Sequence, residues 1–404
     1  MRIAHINTLS EGSTGKIMLG IADEARKAGY EVYTYSSKMF RRSKKAVYNE
    51  IEGHFYYGTE ASNFIHKACG HLFGFNGFFS LFSTLKLVDT LRRNEVDLIH
   101  LHNLHEFCIN LPILFNYIKK CHVKVVWTLH DCWSFTGHCP HYTLIKCSQW
   151  KNGCGHCPQL EIYPPSRLDN TAINWRLKRK LFCGVESMII ATPSQWLADQ
   201  VKNSYLASYP IKVINNGIDL ELFKYRESGF REKHDIVDKK IILGVAFDWG
   251  IRKGLDVFVE LAQRLDDTYQ IVLVGTDPAT ESSLPPSILS IARTQNQQEL
   301  AEIYSSANVF VNPTREDNFP TVNIEALACG TPVITFETGG SPEALDESCG
   351  IVVPCDDISA MEMAVRHVCE DGMLRRDSCE KRARCFDMNR KFQEYIEIYS
   401  DILS

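Results

Sequence analysis

The sequence predicts an α/β protein built on parallel sheets in two domains. Apolar runs of strand length alternate with helix-period stretches along the chain. Near residue 209 the alternation starts afresh, which sets domains at 1–208 and 209–388 with a C-terminal helix at about 389–404. The length of 404 residues agrees, since one domain takes about 150 residues as a prior. Hydrophobic residues make up 45% and charged residues 23%, enough to bury large cores. The net charge of −5 gives no reason to expect nucleic acid as a partner. No apolar run reaches the roughly 18 residues of a membrane span. The start MRIAHINTLSEG has no signal-peptide pattern, so a cytoplasmic location is expected. The fifteen cysteines are then expected as free thiols or metal ligands rather than disulfides.

In the first domain, Met1 to Asn7 reads as a strand and Thr8 to Lys16 as a glycine-rich turn containing Gly12 and Gly15. A helix through Ile17, Ile21 and Ala25 ends at Gly29, and Glu31 to Ser36 is the next strand. This is a βαβ start, but the turn lacks G-x-G-x-x-G and no acid closes the second strand, which counts against a nicotinamide site. Residues 63–93 are apolar and aromatic, reading as core helix plus lid or as an acceptor-side or membrane-facing surface. Val96 to Leu101 is a strand with His100, His102, Asn103 and His105 at its end, either structural or metal-binding. Lys124 to Leu129 is a strand ending in His130-Asp131, where open sheets bind ligands.

The segment 132–157 carries Cys139, Cys147, Cys154 and Cys157, the last two spaced C-x-x-C. Four thiolates form a closed structural zinc site; plain thiols or disulfides are the alternative. His138, His141 and His156 are spare ligands. The basic run Arg176, Lys178, Arg179 and Lys180 is a solvated face or a contact for lipid diphosphate or an anionic membrane.

In the second domain, Lys240 to Ala246 is a strand, the turn after it holds Arg252 and Lys253, and Leu255 to Leu265 is a helix. The most informative stretch is 311–340. A strand leads into the acidic turn Arg315-Glu316-Asp317-Asn318, Pro320 opens a short helix, and Gly330 ends it. A second strand, Pro332 to Phe336, runs into the turn Thr338-Gly339-Gly340. Asp317 precedes the helix and Glu325 lies inside it, one turn beyond Thr321 on the same face. Free N–H groups at the helix start suit a phosphate, and carboxylates suit sugar hydroxyls. One short helix thus offers both halves of a nucleotide-sugar site; the bland alternative is a capped surface helix with two solvated acids.

Asp317 through Val333 resembles the donor signature of glycosyltransferase family 4, retaining enzymes of GT-B fold: an acid, seven residues, Glu, then Ala-hydrophobic-Ala-x-Gly-x-Pro-Val. Asp317 stands where Glu is usual, Glu316 is the neighbouring alternative, and Pro320 replaces a frequent glycine, removing one N–H. The resemblance implies two Rossmann-like domains with an inter-domain cleft, and the C-terminal helix packing back on the first. It implies that Glu325 accepts ribose hydroxyls, that Lys253 and the N–H groups of Thr321 and Val322 hold the diphosphate, and that Asp317 or Glu316 meets the sugar, with Asn318 and Phe319 in the same donor turn. Gly12 and Gly15 would face the acceptor and donor phosphate, and His130 the sugar and acceptor. Lys253-Gly254 matches the family Lys-Gly; the usual Arg is Asp248 here, leaving Arg252 as the second cation. Asn216 to Asp219 resembles the family turn bordering the cleft.

The run Trp127-Thr128-Leu129-His130-Asp131-Cys132-Trp133 and the cysteine insert resemble a subgroup of bacterial exopolysaccharide, colanic acid and O-antigen transferases. The implied activity moves a sugar from a nucleotide-diphosphate sugar to a growing, lipid-linked glycan without a catalytic metal, by same-face attack, at or near the inner membrane surface. The alternatives are a catalytically silent sugar-binding or scaffold subunit, which the departures at Asp248 and Pro320 keep open, and a GT-B nucleotide-sugar epimerase.

Overall fold

The computed structural model describes residues 1–37, 53–105, 108–372 and 374–404. The chain forms two compact units: Met1–Tyr142, Lys146–Ile214 and Phe392–Ser404 in the first, Thr143–Ile145 and Asn215–Lys391 in the second.

The first unit contains a seven-stranded sheet of β1 (Arg2–Ile6), β2 (Glu31–Ser37), β3 (His54–Tyr57), β4 (Leu98–Leu101), β5 (Lys124–Thr128), β6 (Met188–Thr192) and β7 (Ile211–Val213). Their order is β3-β2-β1-β4-β5-β6-β7, every pair parallel. The central strands are buried along nearly their whole length, as parallel strands covered on both faces must be. Ile99, Leu101, Phe115, Trp127 and Phe182 lie in one core cluster. The division between the units falls after Ile214, not near residue 208, because β7 hydrogen-bonds to β6 with Ile211 opposite Ile190.

The C-terminal helix Met388–Leu403 buries Phe392, Tyr395, Ile398, Tyr399 and Ile402, one face at helical spacing. Its residues from Phe392 onward belong to the first unit. Gly20 makes the seat: a Cβ there would stand 2.3 Å from the Phe392 ring. The aromatic stretch 63–93 forms two helices, Glu60–Phe73 and Leu81–Arg93, and is not simply core. Phe64, Ile65, Phe82 and Leu85 are exposed, Phe82 by 86%.

The second unit holds a six-stranded parallel sheet of β8 (Lys240–Val245), β9 (Tyr269–Val274), β10 (Ile288–Ile291), β11 (Val309–Asn312), β12 (Val333–Phe336) and β13 (Gly350–Val353), ordered β10-β9-β8-β11-β12-β13. Alternate residues feed two separate cores: Ile241, Leu243 and Phe310 on one face, Ile242, Val309 and Val311 on the other. Helices therefore cover both faces, the doubly wound arrangement that places ligand sites at strand C-terminal ends.

Candidate functional site

The chain leaves β11 at Asn312 and reaches the helix Thr321–Ala328 through the acidic turn. Pro320 is the residue just before that helix, with extended backbone, rather than its first helical residue. It lacks an N–H only at the cap, so the amides of Thr321 and Val322 are retained inside the first turn. Behind the helix lies a buried polar lock. Asn312 donates to Asn323 at 2.7 Å, Asn323 donates to the Ser341 carbonyl at 3.1 Å, and Thr335 donates to the Asn312 carbonyl at 2.9 Å. These bonds tie the helix start to β11, β12 and the residues after β12.

Lys253, in the turn after β8, reaches Asp317 with Nζ 2.6 Å from Oδ2. Both side chains keep about a fifth of their surface in solvent, at 20% and 21%. Glu316 is buried, and its carbonyl accepts from Thr314 at 3.1 Å. Asp317 is therefore the more accessible of the two acids. Arg252 sits beside them with Nη1 3.5 Å from the Glu316 carbonyl, while Asp248 is exposed. Glu325 accepts from the buried Tyr304 hydroxyl at 3.2 Å and is itself partly exposed. Phe319 and Asn318 are buried under the turn, and the Phe319 carbonyl accepts from Asn216 at 3.2 Å. Gly339 allows the turn to close: its φ is +54°, and a Cβ would fall 1.8 Å from the Asp317 carbonyl oxygen.

Sequence reasoning did not single out Arg315. Its guanidinium is bidentate to Asp256 at 2.8 and 2.7 Å, bonds Asp356 at 2.6 Å and donates to the Ile251 carbonyl at 2.5 Å. Hydrogen bonds to Asp256 raise its pKa further, against burial. It clamps the Lys253 turn to the acidic turn. The only sequence signal was a cation among acids, which reads equally well as surface.

In the first unit, Gly12 opens the helix Gly12–Lys27 with φ +74°, and Gly15 packs so tightly that a Cβ would lie 2.4 Å from the Ser10 carbonyl carbon. His130 follows β5 and helps line a small pocket with His102, His105, Asp131, Trp133 and Ser134. His105 Nε2 lies 2.8 Å from Asp131 Oδ2, and the Trp133 amide donates to Oδ1 at 2.8 Å. Burial works against the Asp131 charge, yet His105 and that amide hold its carboxyl down at about 2. Burial lowers His130 to about 4, with Asp131 pulling the other way. His130 is thus a neutral imidazole at physiological pH, able to donate from one nitrogen and accept at the other. Its ring contacts His102 at 3.2 Å, Nε2 to Nδ1. His5, inside β1, was missed by the sequence reading, because a lone histidine in an apolar strand gives no signal.

In the insert, Cys139, Cys147 and Cys154 pack against the first core. Burial raises the Cys139 thiol, and Cys157, Cys154 and Cys147 raise it further, so the four sulfurs share one neighbourhood. The Gly137 amide donates to Cys154 Sγ at 3.2 Å. Lys146 and His156, each just before a cysteine, have φ of 52° and 48°, in the left-handed region. Among the described residues, the group of metal-ligand side chains whose atoms all approach within 4.8 Å is His5, His100 and His102. The thiols fit zinc in type and number, but among the described residues they do not form such a close group. The buried Lys178 ammonium, which donates to the Trp133 and Thr136 carbonyls at 2.7 and 3.1 Å, faces Cys154 and Cys139. It is not the solvated cation that the basic run predicts.

Residues 15–222 match the family described as Glycosyltransferase Family 4, and residues 239–371 match Glycosyl transferases group 1. The protein of Escherichia coli K12 named colanic acid biosynthesis glycosyl transferase WcaC is 25% identical, with 100% of each chain covered. An N,N'-diacetylbacillosaminyl-diphospho-undecaprenol alpha-1,3-N-acetylgalactosaminyltransferase of Campylobacter jejuni is 27% identical over 51% of this chain and 58% of its own. Among solved structures, sucrose-phosphate synthase from Thermosynechococcus elongatus superposes with a TM-score of 0.72 at 18% identity, covering 99% of this chain and 98% of that one. Anabaena HepE, in complex with UDP and glucose, gives 0.68 at 16%, covering 99% and 100%. These likenesses establish the fold as GT-B.

Proposed function

Because the chain belongs to glycosyltransferase family 4, we propose that this glycosyltransferase extends a lipid-linked glycan in surface polysaccharide biosynthesis, using a nucleotide-diphosphate sugar. The observation that carries the reading is the helix Thr321–Ala328, which presents two backbone amides and Glu325 on one short element beside the Lys253–Asp317 pair. The amides and Lys253 take the diphosphate, Arg252 adds a second cation, and Glu325 takes the ribose hydroxyls. Asp317 meets the transferred sugar. Charge grows on the diphosphate as the glycosidic bond to it breaks, so donors fixed there lower the barrier without a metal. The acceptor hydroxyl attacks the face the diphosphate leaves, and the departing phosphate oxygen takes its proton. In the first unit, His130 orients a sugar or acceptor hydroxyl, and the tightly packed turn at Gly12 and Gly15 admits a phosphate.

The relatives support the wider reading. One is named for colanic acid biosynthesis and another for transfer to a diphospho-undecaprenol acceptor. No helix among the described residues is long and apolar enough to cross a membrane. The exposed apolar faces of Glu60–Phe73 and Leu81–Arg93 give the chain a surface for peripheral contact with the membrane that carries such an acceptor. The four insert cysteines hold a structural zinc, which braces the loop following His130.

The test is a thermal-shift panel of UDP-, GDP-, ADP- and dTDP-sugars with NAD as control. A ligand that binds only the native state raises the melting temperature by mass action. Stabilisation by one nucleotide-sugar class, lost in Glu325→Ala, is the expected result. Stabilisation by NAD alone, or a shift that survives Glu325→Ala, overturns the site.

A further inference from the structure

Four histidines of the first unit form a continuous chain, buried at His5, His100 and His102 and partly exposed at His130. His5 and His100 are register partners on neighbouring strands β1 and β4, so they share one face of the sheet. His102 follows two residues after His100 on that face, and the rings of His100 and His102 stack with centroids 4.2 Å apart. His5, His100 and His102 are at most 1% exposed. Tyr399 of the C-terminal helix is fully buried against them.

Every ring nitrogen of these three residues has a partner. His5 Nδ1 meets His102 Nε2 at 3.3 Å, and His5 Nε2 meets the Tyr399 hydroxyl at 3.3 Å. The same hydroxyl meets His100 Nδ1 at 2.5 Å, and His100 Nε2 meets Thr128 Oγ1 at 2.8 Å. His102 Nδ1 meets His130 Nε2 at 3.2 Å. A metal would have to displace these bonds, so the cluster reads as a hydrogen-bond chain rather than a metal centre.

The direction of the chain follows from one end. The Thr128 hydroxyl donates to the Tyr395 hydroxyl at 3.3 Å. Its proton is spent there, so its oxygen accepts from His100 Nε2–H. A neutral imidazole has one donor and one acceptor, so His100 Nδ1 accepts the Tyr399 proton. The Tyr399 oxygen then accepts from His5 Nε2–H, His5 Nδ1 accepts from His102 Nε2–H, and His102 Nδ1 accepts from His130 Nε2–H. Burial keeps the three internal rings neutral.

We propose that Thr128, His100, Tyr399, His5 and His102 form a one-directional relay that holds His130 as its Nε2–H tautomer. The catalytic part of this inference rests on the role given to His130 above; the tautomer does not. The relay members are positioning residues, since they act through His130.

The test reads tautomers by nitrogen-15 spectroscopy of histidine-labelled full-length protein, alongside kinetics. His130 is expected as the neutral Nε2–H form. Tyr399→Phe removes one hydroxyl and leaves the ring packing. It should mix the His130 tautomers and lower kcat by about tenfold or more, the scale of misplaced acid–base groups, with donor KM near wild type. His102→Gln, whose amide can donate to His5 and accept from His130, should keep the tautomer and most of kcat, whereas His102→Leu should lose both. A wild-type His130 carrying its proton on Nδ1, a metal-bound signature at His5, His100 or His102, or an unchanged His130 spectrum in Tyr399→Phe overturns the relay. Full activity in His130→Ala overturns the proposed role of His130 instead, and leaves the spectra to decide the tautomer.

Discussion

Replacing Lys253 by alanine separates a catalytic cation from a structural one. Lys253 Nζ lies 2.6 Å from Asp317 Oδ2. At an effective dielectric of about 20 this pair attracts by roughly 6 kcal/mol before desolvation. Solvent reaches about a fifth of each side chain, at 20% and 21%. Desolvation and side-chain entropy offset most of the attraction, so losing the pair should cost about 1–2 kcal/mol of stability, between exposed and buried cases. Loss of a donor to the developing charge costs more, about 2.7–4 kcal/mol or 10²–10³ in kcat. Lys253→Ala should therefore lower kcat far more than it lowers stability. Asp317→Asn in the same background completes a double-mutant cycle. If Lys253 only neutralises Asp317, adding Lys253→Ala to Asp317→Asn costs neither stability nor further turnover. If Lys253 holds the diphosphate, it costs little stability in that background but still lowers kcat strongly. Initial rates with saturating donor and acceptor, paired with denaturant unfolding, measure both. Near wild-type kcat in Lys253→Ala, or no further loss of kcat when it is added to Asp317→Asn, refutes the assignment.

Gly339→Ala should destabilise by about 1–3 kcal/mol from strain alone, because φ is +54° and the new Cβ would meet the Asp317 carbonyl oxygen at 1.8 Å; an unchanged unfolding midpoint would contradict this. Acid should weaken the fold early. Burial lowers His5 and His66 to about 3 and His130 to about 4, so the unfolded chain binds protons that the folded one refuses below the ordinary value of 6.5. Their contribution is whole above that value and is lost as pH falls toward 3–4, each adding a slope of about 1.4 kcal/mol per pH unit; a flat stability profile between neutrality and pH about 4 would refute it. Purified protein should carry one zinc per chain, and chelation should lower the melting temperature; Cys154→Ser should lose the metal, and metal-free protein with wild-type stability would count against the site. Phe82→Asp, at the most exposed of the apolar positions named above, should weaken sedimentation with anionic vesicles and leave soluble-donor binding intact; equal sedimentation would rule out that face.

What the sequence made legible tracks how local each feature is. The proposed donor site lies largely in one stretch. The helix start expected at Pro320 and the Gly330 stop are set by neighbours in sequence; the structure starts the helix one residue later, at Thr321, and ends it at Ala328, just before a left-handed Gly330. The register of β7 was not legible: residues 211–213 form a short strand before a polar turn, and only pairing with β6 assigns it to the first sheet. Lys178 was misread for a similar reason. Its neighbours Arg179 and Lys180 look like a solvated run, but its own position faces the core, stacked over Trp133 with Nζ 3.3 Å from the ring centroid. The histidine relay was the least legible, since its members come from β1, β4, β5 and the C-terminal helix, and no spacing along the chain relates them.

The two departures from the family pattern bear on whether the donor site is complete. Pro320 costs little, since it occupies the cap and the Thr321 and Val322 amides follow it in the first helical turn. The missing cation at Asp248 is the sharper question. Arg315 cannot replace it, because Asp256, Asp356 and the Ile251 carbonyl already engage its guanidinium. What Arg315 does is hold the turn that carries Arg252 and Lys253 against the acidic turn; its own amide donates to the Arg252 carbonyl at 2.9 Å. Among the described residues, the Arg252 guanidinium makes one long hydrogen bond, 3.5 Å to the Glu316 carbonyl, and the side chain is half-buried, so turning it toward a diphosphate would sacrifice little. The proposed function thus assigns the second positive charge to Arg252, four residues along the turn from Asp248, where the buried Arg315 keeps the turn in place.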